Sequence, residues 1–170
     1  NLTYSKVQIM KNLVTALIFT FATTVWAGDF EDGFAASEAG DYKTAFSFYK
    51  KAAEQGELAA QFNVGLYYDV GKGVAQDDAE AVRWYKLAAA QGYSIAQLNL
   101  GARYANGKGV LQDYAEAVRW CKLAAVRGNA DAQFNLSQNY ATGKGVLQDD
   151  LQAHMWMNLA AVSGDKGAQK

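Results

Sequence analysis

A 36-residue period constrains this chain more than any other feature. Ala45, Ala81, Ala117 and Ala153 recur at that step, as do Gly56, Gly92, Gly128 and Gly164. The most complete copy occupies 77–112, with further copies at 41–76 and 113–148, and residues 149–170 begin a fourth that breaks off. A period between 20 and 50 residues marks an array of like supersecondary units. Such units bury their apolar sides against one another rather than within themselves.

Each unit reads as two helices. In the first, Ala81, Trp84, Tyr85, Ala88 and Ala89 follow the i, i+3, i+4, i+7, i+8 spacing of one apolar stripe. Asp77 or Asp78 is placed to cap its start, and Glu80 sits in the first turn, where the helix dipole favours a negative charge. Gly92 closes it in the manner of a left-handed C-terminal residue. The second helix carries Ala96, Leu100, Gly101 and Tyr104. A glycine inside a helix costs about 1 kcal/mol against alanine. Its recurrence at Gly65, with the small Ser137 in the third copy, predicts a close approach between helices. Proline is absent from the chain, so glycine supplies the punctuation. The loop Asn106-Gly107-Lys108-Gly109-Val110 recurs around Lys72 and Lys144, and its paired glycines predict positive φ on both sides of a tight reversal. Ahead of the units, 28–40 reads as a short capping helix, with Asp29 as N-cap, Phe30, Phe34 and Ala35 at helical spacing and Gly40 at its end.

The columns G-x-G-V, A-x-x-W-Y-x-x-A-A, then G and A-x-x-x-L-G-x-x-Y resemble the Sel1-like repeat, a relative of the tetratricopeptide repeats. The resemblance covers residue 41 to about residue 169. It implies an all-α fold: a right-handed α-solenoid of about three and a half helix pairs behind the capping helix. Two departures stand out. Phe48 replaces the tryptophan of Trp84, Trp120 and Trp156, and only DKGAQK follows Gly164. Ala168 and Gln169 match Ala132 and Gln133, so a last second helix is expected to start there and stop. For function, the resemblance implies an exported bacterial member doing adaptor work: a non-catalytic scaffold in the cell envelope that binds a protein or peptide on its concave face. The alternative is a module binding cell-wall glycan (peptidoglycan). Cysteine-rich relatives have been linked to hydrolase activity, but their paired cysteines are missing here.

The N-terminal stretch reads as a targeting segment. Met10-Lys11 gives a positive start, 13–25 is mainly apolar, and Val25-Trp26-Ala27 precedes Gly28 with small residues where a signal peptidase reads. The expectation is a signal peptide over 10–27 cleaved after Ala27, upstream residues at 1–9, and a periplasmic or secreted mature chain. The apolar run is shorter than the roughly 20 residues a bilayer needs. No stable membrane span is therefore expected after cleavage. Formal charge is −1; without Lys6 and Lys11 the count is 14 basic against 17 acidic, or −3. That balance gives no reason to expect nucleic acid as a partner.

Catalytic and cofactor chemistry finds little to build on, and no cofactor or metal is expected. The lone cysteine, Cys121, stands in the column of Tyr49, Tyr85 and Met157 and reads as a buried apolar residue. The only histidine, His154, is a full repeat away, and one histidine with one cysteine cannot supply the four ligands of a zinc site. The GKG loops lack the spacing and the Ser/Thr of a phosphate-binding loop. Asp77-Asp78 and Asp149-Asp150 sit at helix starts, where capping accounts for them. The tryptophan column lies within the apolar stripe and reads as core. The column Asn63, Asn99 and Asn135 either bonds neighbouring turns or faces the groove.

The remaining candidate is a ridge across the first helices. Arg83 and Arg119 share one column, and Lys86 and Lys122 share another with Lys50. One reading is a solvated face carrying Glu80–Arg83 and Glu116–Arg119 pairs at i, i+3. The other is a partly cationic recognition strip for an acidic or extended peptide, with Tyr67 and Arg103 of the second helices lining the same concavity. An incomplete last unit would leave an apolar face, from which a dimer through the C-terminal end is expected.

Overall fold

The computed structural model describes residues 28–168, and all the secondary structure among them is helical. The expected signal segment 10–27, its cleavage point after Ala27 and residues 1–9 lie outside the described residues. Helix α1 spans 28–38. It is followed by α2 (Tyr42–Glu54), α3 (Leu58–Val70), α4 (Asp78–Ala90), α5 (Ser94–Asn106), α6 (Tyr114–Val126), α7 (Ala130–Thr142) and α8 (Asp150–Ala168). From α2 to α7 each helix is 13 residues long. The first helices α2, α4, α6 and α8 begin 36 residues apart, and so do the second helices α3, α5 and α7.

The starts and stops follow the local chemistry. Asp77 Oδ1 accepts the backbone N–H groups of Ala79 and Glu80, and Asp113 repeats the cap on Ala115 and Glu116. Asp41 and Asp149 cap α2 and α8 in the same way. Each second helix ends on a left-handed glycine: Gly71, Gly107 and Gly143 have φ of +69°, +65° and +69°. The second glycine of each GKG loop, Gly73, Gly109 or Gly145, is also at positive φ, as the paired glycines predict. Val74, Val110 and Val146 at the loop ends pack against the core.

Packing between neighbours builds one continuous interior. Alanines at 45, 52, 60, 81, 88, 96, 124 and 132 are fully buried, which lets the helices approach closely. Each tryptophan of the repeats reaches back across a joint. Trp84 belongs to the cluster of α2 and α3, Trp120 packs on that of α4 and α5, and Trp156 joins that of α6 and α7. The indoles of Trp84 and Trp156 are therefore core, as the stripe predicts, and that of Trp120 is half-buried against it.

Two terminal features differ from the sequence reading. Helix α1 already includes Gly28 and Asp29, so Asp29 lies within the helix rather than at its cap. More importantly, α1 packs as a second helix: a Cβ on Gly33 would meet the Tyr49 ring at 2.8 Å, as one on Gly65 would meet the Tyr85 ring at 2.7 Å. It lacks only the four-residue GKGV link. At the other end, α8 does not break at Gly164 but runs on to Ala168. Gly56, Gly92 and Gly128, by contrast, turn to positive φ where the next helix folds back onto the array.

Candidate functional site

The ridge residues lie where the repeat places them. Arg83 on α4 and Arg119 on α6 are exposed, and each is bonded to the glutamate one turn back. Arg83 Nε donates to Glu80 Oε1 at 3.0 Å, and its Nη2 to Glu80 Oε2 at 2.9 Å. Arg119 Nε donates to Glu116 Oε1 at 2.8 Å. Those hydrogen bonds raise both guanidinium pKa values, and the Arg119 bond lowers that of Glu116. The same guanidiniums lie over indole rings, Arg83 at 4.5 Å from Trp84 and Arg119 at 4.3 Å from Trp120. Lys86 reaches over the Tyr104 ring at 5.4 Å, and Lys122 is exposed on α6. The i, i+3 pairs are thus present, and they hold the arginines in place without hiding them.

Beside these cations runs a column that the sequence reading passed over. Leu87, Leu123 and Leu159 occupy the same position on α4, α6 and α8 and are 42%, 42% and 41% exposed. The next column adds exposed Val126 and Val162. Around Leu123, together with Arg119, Lys122, Val126 and Arg127, the surface forms a shallow concavity of about 410 Å³. The 36-residue recurrence of leucine was the available signal, masked because leucine on a helix is read first as core.

Tyr67 and Arg103 must be withdrawn from the strip. They share one column, and that column points into the joint between units rather than into open solvent. Tyr67 is 7% exposed, with its ring centroid 6.2 Å from that of Phe46 and its hydroxyl donating to Ser37 Oγ at 3.0 Å. Arg103, with its side chain 11% exposed, donates to Asp78 Oδ1 at 2.9 Å and pairs with Asp69. Lys108 joins at 3.4 Å from Asp78, and the Tyr85 hydroxyl donates to Asp69 Oδ2 at 3.1 Å. Burial, and after it the Asp69 charge, pushes the Tyr85 phenol pKa well above its ordinary value. This network locks α3, α4 and α5 together.

The other polar groups are placed structurally. Asp77 and Asp149 are caps, and Asp78 belongs to the ion network. The GKG lysines reach back to the start of their own unit: Lys72 over the Tyr42 ring at 3.7 Å, Lys144 over Tyr114 at 4.2 Å and Lys108 to Asp78. Gln97 and Gln133, in an inward-facing column not singled out from the sequence, donate side-chain amides to the carbonyls of Ala89 and Ala125 at 3.0 Å. Cys121 is buried, with Sγ donating to the Ala132 carbonyl at 3.1 Å, and burial raises its thiol pKa to about 11. Such a thiol is protonated at neutral pH and is a poor nucleophile. His154 stands exposed on α8. Ser47-Phe48-Tyr49-Lys50 has the S-x-x-K spelling of some acyl enzymes. Its serine is exposed on α2 while its tyrosine fills the core, so the spelling falls out of the helical stripe. Among the described residues no group of three or more His, Cys, Asp or Glu is arranged to hold a metal ion, and no helix is long and apolar enough to cross a membrane.

Comparison with known proteins identifies the architecture. The model of the Sel1 repeat matches four times, at 30–57, 58–93, 94–129 and 130–165. Its units open on the second-type helices α3, α5 and α7, and the first takes in α1, in keeping with the packing of Gly33. Among solved structures, the protective antigen c5321 of uropathogenic Escherichia coli, displaying an SLR fold, is similar at 37% identity and a TM-score of 0.79 over 88% of this chain and 33% of that one. A Sel1 repeat protein from Oxalobacter formigenes matches at 34% identity and 0.75, over 80% and 56%. Cysteine rich protein B of Helicobacter pylori matches at 25% identity and 0.58, over 73% and 89%. Among curated proteins, DAP3-binding cell death enhancer 1 of Rattus norvegicus is 49% identical over 43 residues, and that of Mus musculus 46%. Those matches take in 25% of this chain and 8% of the length of either relative. Four repeat matches on an uninterrupted helical array carry the assignment: the chain belongs to the Sel1 repeat family.

Proposed function

We propose that this chain is a non-catalytic scaffold that holds a protein or peptide along the ridge of α4, α6 and α8. Proteins built of Sel1 repeats are generally protein-interaction scaffolds, and the curated relatives carry a name that describes binding to another protein, DAP3. The observation that carries the proposal is the exposed leucine column Leu87, Leu123 and Leu159, flanked by Arg83, Lys86, Arg119 and Lys122. An apolar row beside fixed cations fits a helix or extended segment with apolar anchors and an acidic edge. The concave-face location, export to the bacterial envelope and the signal peptide over 10–27 belong to the same proposal; processing at Ala27 is checked by N-terminal sequencing of the exported protein. A dimer through α8 would cover exposed Met157 and Leu159, and sedimentation showing monomer at high concentration would remove it.

The test is capture from envelope extract with the chain as bait, beside a variant carrying Arg83→Glu, Lys86→Glu, Arg119→Glu and Lys122→Glu and another carrying Leu123→Asp. A protein retained by the first bait and lost from both variants supports the ridge. Equal retention by all three moves the site elsewhere. No retention, with the chain sedimenting on purified peptidoglycan, replaces the scaffold reading with the glycan one. The buried indoles of Trp84 and Trp156 favour the peptide, since they offer no open ring to a sugar.

A further inference from the structure

The cleft between α5 and α7, floored by α6, differs from its counterpart one unit earlier. It holds about 430 Å³, and its floor is Gly101, Ala117 and Cys121. One repeat earlier those positions are Gly65, Ala81 and Tyr85. There the fully buried Tyr85 ring sits directly on Gly65, where an added Cβ would come within 2.7 Å of two ring carbons. Gly33 and Tyr49 repeat the arrangement at the N-terminal joint, at 2.8 Å. At the third joint the glycine remains and the ring is gone. The nearest atoms to a Cβ on Gly101 are the Ala117 carbonyl oxygen at 3.1 Å and the Cys121 backbone nitrogen at 3.5 Å.

The groups that close the earlier joint have changed as well. Ala105 stands in the column of Asp69 and Asn139 in that of Arg103, so no ion pair spans the mouth. In its place the mouth presents the carboxamides of Asn135, Gln138 and Asn139, with the Lys144 ammonium drawn 4.2 Å over the Tyr114 ring.

We infer that this cleft is a seat for a tyrosine side chain on a bound polypeptide segment. The occupant is defined by what fills the same seat from within the chain at the earlier joint: a phenol ring stacked on a glycine, its hydroxyl donating to Asp69, whose place Ala105 takes here. Asn99 lies beside the Tyr85 hydroxyl, and Asn135 is its counterpart in the open seat. The carboxamides along the mouth can each donate and accept, which matches the alternating N–H and C=O groups of a peptide backbone. This seat lies among the second helices, whereas the ridge lies on the first, and each stands without the other.

The test titrates the full chain with N-acetyltyrosinamide, N-acetylphenylalaninamide and N-acetylleucinamide, following the backbone amide signals of Gly101, Ala117 and Asn135. Both aromatic probes are expected to shift these signals, the tyrosine probe at lower concentration, and the leucine probe is expected to leave them in place. Cys121→Tyr, which supplies the ring internally, is expected to raise Tm and weaken tyrosine-probe binding by at least about tenfold. Asn135→Leu, at an exposed position, is expected to bring the tyrosine affinity down to that of phenylalanine. The proposal is overturned if no probe shifts these signals, if leucine binds as well as the aromatics, if Cys121→Tyr lowers Tm, or if that variant still binds.

Discussion

The Cα of Gly109 lies so close to Asp78 that a Cβ on it would overlap the Asp78 carbonyl oxygen. The loop that leaves the second helix of a unit thus rests directly on the first turn of that unit's first helix. Gly73 on Tyr42 and Gly145 on Tyr114 repeat the contact. Gly109 also has φ of +73°. Gly109→Ala therefore meets both a left-handed backbone penalty and a clash with main chain, which cannot swing away as a side chain can. A loss of more than about 2 kcal/mol is expected. Urea unfolding measures it, beside Lys108→Ala as a milder change in the same loop.

Removing Arg103 is expected to do more damage than removing any cation of the ridge. Its loss leaves Asp69, whose side chain is 17% exposed, with the Tyr85 hydroxyl at 3.1 Å and the half-exposed Lys108 ammonium at 4.0 Å in place of its close ion pair. Arg103→Ala should cost about 2–3 kcal/mol, somewhat below a fully buried pair because water reaches the edge of the network. If Arg103→Ala with Asp69→Ala recovers part of that loss in denaturant titrations, the stranded charge is its cause.

By contrast, Arg119→Ala should change stability by no more than about 0.5 kcal/mol, because its bond to Glu116 is an exposed i, i+3 pair. The same substitution should weaken partner binding, read by calorimetry against whichever segment the ridge holds. A stability loss comparable to that of Arg103→Ala would make Arg119 structural and count against the ridge.

Alkaline pH should loosen the fold through two buried acids. Burial raises the Cys121 thiol from 9.0 to about 11. The unfolded thiol ionises first, so unfolding releases a proton between those values and stability falls as pH rises through that window. The full loss from this group is about 2–3 kcal/mol. Tyr85, raised from 10.0, adds to the loss above pH 10. Chemical denaturation at pH 8 and at pH 10.5 should show the drop, and Cys121→Ala should flatten its early part. An unchanged slope in that variant would mean that the thiol is not protected.

The periodic part of this structure was legible in the sequence, and the exceptions to it were not. Alanine and tryptophan columns set the helices, because a residue needed at every joint recurs at every joint. The Asp69–Arg103–Asp78 network appears in one joint only; in the next, the same columns hold Ala105, Asn139 and Tyr114. Reading Tyr67 and Arg103 as neighbours on a recognition face joined two residues of one inward column, whose direction is fixed by how α3 and α5 are rotated against the first helices. Rotation depends on side chains across the joint, and the period alone does not carry it. The run of α8 through Gly164 shows the same limit: a glycine permits a turn without imposing one.

Trp84, Trp120 and Trp156 each complete the interior of the unit before their own. The joints entered by α4, α6 and α8 therefore share one indole plug and its socket, and each middle module carries one of each. Copying a 36-residue stretch leaves every indole facing a socket of its own kind, whereas deleting 77–112 would also remove the Arg103 that pairs with Asp69. An array of this kind can lengthen by whole modules, so the reach of its ridge can change by gene duplication alone while the residues inside stay as they are.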